Sequence, residues 1–388
     1  MPVMYSRRLV ATLIAGGFAC SACSAPGPAD DPQAKSGMPP TGTVAARAVT
    51  ETVPNDPDDP AIWVDPVLPP SSLIITTDKQ DVDGGLYVFG LDGRLRQAIT
   101  PMDRPNNVDV EYGLLLGGVP VDVAVVTERM RRRLRVFRID RESRRLEEVT
   151  TAGGIPVLEG QAGEAGEPMG IGLYRRAADG AVFAIVSPKA GGARDYLWQY
   201  RLHDDGSGRV AGTLVRRFGA FSRRGAGPDE PGEIEAVAVD DELGHVYYAD
   251  ERFGIRKWAA DPDASDAGRE LAVFGTDGYL GDREGLAVYG LPGGAGYIVS
   301  ADQVPGASRV HVYARSGGPE APHQHRRLAI VETGADATDG LEAVSAPLGP
   351  FGRGLLVMMN SGPRTFMLFD WNSIRAILRD GRSSDPDK

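Results

Sequence analysis

The chain has 388 residues, 42% of them apolar, with 50 glycines and 29 prolines; this composition of many strands and turns excludes disorder over most of the length. A formal net charge of −11 excludes nucleic acid as a partner and suits a protein that gathers divalent cations. Both cysteines, Cys20 and Cys23, lie near the start, so the remainder has no disulfide, thiol nucleophile or thiolate metal site.

In chain order, Arg7 and Arg8 precede an apolar run at 9–19 that is too short to span a bilayer, and small residues lead on to Cys23. Residues 1–23 read as an export signal of lipoprotein type. Cys23 is the residue expected to be acylated, with Cys20 as the alternative, and the destination is the periplasm, the outer membrane through that lipid, or the medium. Residues 24–46, rich in Pro, Gly, Ala and Asp, read as a flexible linker. A loose unit then repeats six times. An acid opens an apolar strand at Asp59, Asp109, Glu167, Glu235, Glu284 and Asp339, and a second apolar strand follows at 73–77, 123–127, 182–186, 246–249, 297–300 and 355–359. A third strand carries an aromatic, such as Phe89, Phe137, Tyr200, Trp258, Tyr313 or Phe369, and a weaker fourth follows in most units. Four strands in roughly 50–60 residues is the scale of a propeller blade. The fold class is therefore all-β, a six-bladed β-propeller of four-stranded antiparallel blades over 47–378. One short helical turn is expected at 374–378 and a disordered tail over 379–388.

First strands lie nearest a propeller's axis, so six acids at matching positions would ring one channel mouth. Unpaired, they would repel one another and lose hydration. Calcium, a hard cation taking six to eight oxygen ligands, relieves both costs. The competing reading is that some of these acids merely accept backbone hydrogen bonds at strand starts. Lys79, Arg129 and Lys189 each follow a second strand, which puts three cations on one face of the disc.

The segments Asp58-Asp59-Pro60-Ala61-Ile62-Trp63-Val64-Asp65-Pro66, Asn106-Asn107-Val108-Asp109, Glu235 with Asp240-Asp241-Glu242, Asp282-Arg283-Glu284-Gly285-Leu286 and Thr338-Asp339-Gly340 closely resemble the β-propeller phytases, in the same order. The resemblance implies a calcium-dependent phosphomonoesterase acting on phytate, myo-inositol hexakisphosphate, with several Ca2+ ions at the channel mouth. It implies Asp58, Asp59, Asp109, Glu235, Glu251, Asp282, Glu284 and Asp339 as calcium ligands, to which the repeat of strand-opening acids adds Glu167, and Lys79, Arg129 and Lys189 as phosphate-binding residues. Glu284, Glu235 and Asp282 would carry catalysis, by in-line attack of a calcium-bridged water. The substrate would be the calcium–phytate polyanion, and the chain is expected to act as a monomer.

The sequence departs from the family at Met169, where a tyrosine is usual, at Gln80 in place of a second lysine, and at Met367, in a strand that usually carries a lysine. Counting by two from Glu167 puts Met169 one step deeper in the channel. Two other readings stay open: a lactonase-type hydrolase with one central calcium, and a non-catalytic, calcium-stabilised binding propeller. No Arg-His-Gly motif occurs among the five histidines, which argues against a histidine phosphatase, and His323 and His325 read as part of a surface connection.

Overall fold

The computed structural model describes residues 39–222 and 232–380; residues 1–38, on which the export-signal reading, Cys23 and most of the expected linker fall, and the residues from 381 lie outside them. Six four-stranded antiparallel sheets follow one another as blades 1 to 6, the first strand of each innermost: a six-bladed β-propeller. Their residues are 57–102, 105–148, 168–220, 237–274, 286–335 and 341–370.

Blade 6 supplies only three strands of its own. Its fourth is Ala48–Val49, which pairs antiparallel with Thr365–Asp370 and so ties the start of the propeller to its end. Just before it, Thr41–Thr43 adds a parallel fifth strand to the outer edge of blade 5, with Gly42 opposite Val331. This corrects the linker reading, because Pro40 already accepts a hydrogen bond from Ile330. The alternating, half-exposed Thr-Gly-Thr pattern carries almost no strand signal, and it is the unpaired sheet edge that recruits it.

The short helical turn expected at 374–378 is a ten-residue helix, Trp371–Asp380. Asp370 caps it, its Oδ1 accepting the Asn372 N–H at 3.0 Å. Trp371, Ile374 and Leu378 share the buried face of the helix and pack into the core between blades 5 and 6, where the Trp371 ring stacks on Tyr289 at 3.8 Å. Elsewhere the core is a series of inter-blade layers. Val123 and Val125 of blade 2, for example, meet Ile171 and Leu173 of blade 3.

Inner strands differ around the ring. In blades 1 to 3 each has one extra residue against its neighbour, between Pro57 and Pro60, Pro105 and Val108, and Pro168 and Ile171. Such a bulge strands a backbone N–H. A hydroxyl on the second strand takes it up: Thr77 accepts from Asp59, Thr127 from Asn107 and Ser187 from Gly170, at 3.0–3.1 Å. In blades 4 to 6 Ala249, Ala301 and Met359 stand at that place and bond the inner strand through their backbones.

Candidate active site

Strand register fixes which residues meet at the channel mouth. Pro60, Val108, Ile171, Val237, Leu286 and Leu341 each face the residue two before the end of their second strand. Two positions before each of these lies the innermost ring: Asp58, Asn106, Met169, Glu235, Glu284 and Asp339. Asp59, Asp109 and Glu167 are therefore not in phase with Glu235, Glu284 and Asp339, which corrects the six-acid ring expected from sequence. Asp59 lies one residue past Asp58, the offset of a single bulge, whereas Asp109 lies three past Asn106 and Glu167 two before Met169, and the occupants include an amide and a thioether. The ring is narrow. Asn106 Nδ2 donates to Asp58 Oδ2 at 3.1 Å and to Glu235 Oε1 at 2.5 Å, bridging blades 1 and 4.

Directly after the second strands stand Lys79, Arg129, Lys189, Glu251, Gln303 and Ser361. Each uses its backbone N–H to hold the approach to the inner strand, at the carbonyls of Asp56, Arg104, Glu167, Glu233, Asp282 and Asp336. The last residue of the second strand clamps the same approach through its side chain. Asp78 accepts from Asp56 N–H, Glu128 from Asp103, Asp250 from Ser222, Asp302 from Gly281 and Asn360 from Asp336. These four acids and Asn360 are structural, buried and hydrogen-bonded by the backbone they position. The three cations, on blades 1 to 3, thus share one phase with Glu251 and Gln303 on blades 4 and 5; the carboxylate triads lie on blades 4 and 5, but Asp58 and Glu167 also stand beside the cations and Arg252 lies 3.5 Å from Asp282.

Each cation touches an acid. Lys79 Nζ lies 2.8 Å from Asp58 and 2.6 Å from Asp339; Arg129 Nε lies 3.2 Å from Glu167; Lys189 pairs with Glu233. Arg129 is buried, not part of the solvated turn its basic neighbours suggest. Burial works against the Lys79 charge, yet Asp58, Asp339 and Glu235 outweigh it and hold its pKa well above the usual value.

Among the described residues, carboxylate triads with ligand oxygens all within 4.8 Å of one another occur twice: Glu233, Glu235 and Glu251, and Glu251, Asp282 and Glu284. Glu251 belongs to both. Glu233 was missed from sequence, although Glu233-Ile234-Glu235 alternates as two same-side acids should. Burial, then neighbouring carboxylates, pushes Glu235, Glu251 and Glu284 well above their ordinary range and Asp58 up to about 6. An all-oxygen, multiply acidic donor set of this kind fits a hard cation and not a zinc-type ion.

Asp59 and Asp109 lie deeper. Asp59 Oδ2 accepts Val108 N–H at 3.0 Å, and Asp109 Oδ2 accepts Leu173 N–H at 2.7 Å, so each ties its blade to the next as the competing reading of strand-start acids foresaw. With Glu342 they line a cavity of about 20 Å³ on the axis, the room of a single water or ion. Burial raises all three, Asp109 to about 7. Met169 is buried in the innermost ring, inward of Glu167, and its carbonyl accepts Thr127 Oγ1 at 2.7 Å.

This arrangement has relatives. The Phytase family profile matches residues 10–365. The chain belongs to the phytase family. A 3-phytase of Bacillus subtilis is 31% identical to it over 302 residues, covering 76% of this phytase and 71% of that enzyme. Among solved structures, a protein from Lactobacillus plantarum aligns over 80% of each chain at 12% identity and a TM-score of 0.47. The periplasmic gluconolactonase of Pseudomonas aeruginosa aligns over 68% of each chain at 15% identity and a TM-score of 0.42. Values this low do not bear on function. As a phytase the protein is a hydrolase, and its acidic mouth is a site able to hold metal.

Proposed function

We propose that this phytase hydrolyses phytate in a calcium-dependent reaction at the mouth of the channel. The observation that carries the reading is the division of the mouth into Lys79, Arg129 and Lys189 on one side and two carboxylate triads sharing Glu251 on the other. A phosphate monoester needs both halves. Glu233, Glu235, Glu251, Asp282 and Glu284 would hold calcium, which when bound would supply positive charge for the phosphate oxygens and acidity for a water.

Lys79 and Lys189 contribute point charges and Arg129 a planar fork, so the equatorial oxygens meet donors placed before the reaction begins. Asn106 holds Asp58 and Glu235 apart at fixed distance, and Gln303 steadies the other oxygen of Asp339 while Lys79 holds the first. Glu284 sits where it can orient the attacking water and take its proton on a carboxylate oxygen. Attack in line forms the new P–O bond as the bond to the inositol oxygen breaks, that oxygen takes up a proton from solvent to leave as the alcohol while Glu284 gives the water's proton back to solvent, and no side-chain nucleophile takes part.

Purified protein incubated with phytate should release phosphate when calcium is supplied and stop when it is chelated. Release that continues in excess chelator would exclude the calcium reading. Hydrolysis of a sugar lactone with no phosphate release would favour the lactonase-type alternative.

A further inference from the structure

A buried cation stands between two acids of the mouth. The residues directly before the innermost ring are Pro57, Pro105, Pro168, Ile234, Arg283 and Thr338, and all six are buried. Five of them are proline, isoleucine or threonine. Blade 5 alone puts a charge at this place, between Asp282 and Glu284 of the second triad. Arg283 is 4% exposed. A guanidinium taken out of water is costly unless its donors are bonded, so its partners show what it holds.

Arg283 Nη1 donates to the Glu251 carbonyl at 2.7 Å and Nε to the Gly275 carbonyl at 2.8 Å. Its backbone N–H donates to the same Glu251 carbonyl at 3.3 Å. Glu251, on blade 4, is the acid that both triads share. The guanidinium carbon lies 4.0 Å from the centre of the Tyr279 ring, and His311, from the third strand of blade 5, stacks on that ring at 3.9 Å and 13°. Two planar groups this close take opposite faces of the ring, so Tyr279 and the fully buried His311 form a pillar behind the guanidinium. Asp302 ties down the same stretch, accepting from Leu280 and Gly281 N–H at 3.0 and 2.8 Å. The acids resist this closeness, because carboxylates with ligand oxygens within 4.8 Å of one another repel when ionised. Glu251 Oε1 is meanwhile a buried acceptor without a hydrogen bond.

We propose that Arg283 is a positioning residue for the metal site. It locks the backbone of Glu251 on blade 4 to the stretch of blade 5 that carries Asp282 and Glu284, so that the second triad stands formed before an ion arrives. The inference rests on the calcium reading of the mouth. Without the lock the ionised carboxylates move apart, and gathering them again lowers the affinity for calcium. The fork matters as well as the charge. A planar guanidinium serves two carbonyls and stacks on a ring at once, which an ammonium on a flexible stem does not.

The test is calcium binding by calorimetry on the chelator-stripped protein, beside melting curves recorded with and without calcium. Arg283→Lys keeps the charge without the fork, Arg283→Gln removes the charge, and Tyr279→Leu removes the ring while leaving the arginine. Each should weaken calcium binding about 10-fold or more and shrink the rise in Tm that calcium produces. An arginine that only supports the fold gives a different result: the melting curves with and without calcium fall together, and calcium affinity stays at the wild-type value. That result would overturn the proposal. Wild-type affinity in Arg283→Lys with a loss in Arg283→Gln would overturn it too, by showing that charge and not position matters. Wild-type protein that binds no calcium would remove the reading of the mouth and this inference with it, whereas wild-type binding left unchanged in all three variants would remove the inference alone.

Discussion

Lys79 has two tasks that pull in opposite directions. Its ammonium lies within 3 Å of Asp58 and Asp339 and its charge reaches Glu235 of the first triad, so it repels a cation there, while the proposed reaction needs it for phosphate. Lys79→Met should therefore separate the two. Loss of one charge-assisted contact, about 1.5–3 kcal/mol, should raise KM for phytate roughly 10- to 150-fold. The calcium concentration for half-maximal activity should fall, because a competing positive charge has gone. A calcium titration of turnover at several phytate concentrations reads both; a parallel loss of calcium affinity would show that Lys79 supports the cation site. In the sequence these three cations were named by the family resemblance, and their shared place after second strands agreed with it. Glu233 was not, because it precedes the apolar run that was taken as the start of its blade.

At the scale of elements, the repeat could be read and its fine register could not. Alternating apolar strands announced six blades, but a one-residue bulge is silent in such a pattern: it puts Asp59 one residue past the ring, while Asp109 lies three residues after the ring position Asn106 and Glu167 two before Met169. Thr77, Thr127 and Ser187, which satisfy the bulges, were the available clue, set against Ala249, Ala301 and Met359 in the regular blades. The closing strands at 41–43 and 48–49 were hidden for another reason: two or three residues hold no periodicity, and only the edges of blades 5 and 6 give them a place. Trp371 secures the other end of the chain against Tyr289 and Tyr297. Trp371→Ala should cost about 3–5 kcal/mol in urea unfolding, the usual price of an aromatic removed from a packed core, with KM unaltered because the helix lies outside the mouth. Wild-type stability in that variant would mean that the helix is an appendage.

For the molecule as a whole, the carboxylates couple stability to pH and to cations. Asp58 is raised to about 6, and Glu235, Glu251 and Glu284 are raised in the same direction. The native state thus holds protons that the unfolded chain has already released. Stability from these groups is full below the ordinary carboxylate range and falls as pH climbs from about 4 through 6 and beyond, by on the order of 2–3 kcal/mol for Asp58 alone. In chelator, the melting temperature should decline between pH 5 and 8. Calcium at 100 times its Kd should restore about 2.7 kcal/mol per site and flatten the profile. A flat profile in chelator would remove the mouth carboxylates as the seat of this coupling. The division of labour across the mouth has its most direct test in anomalous diffraction from crystals grown with calcium and soaked with inositol hexasulfate, a non-hydrolysable polyanion shaped like phytate. Calcium should appear in both triads that share Glu251, with sulfate oxygens on Lys79, Arg129 and Lys189. Calcium lying elsewhere, or a polyanion bound away from those three cations, would contradict the account.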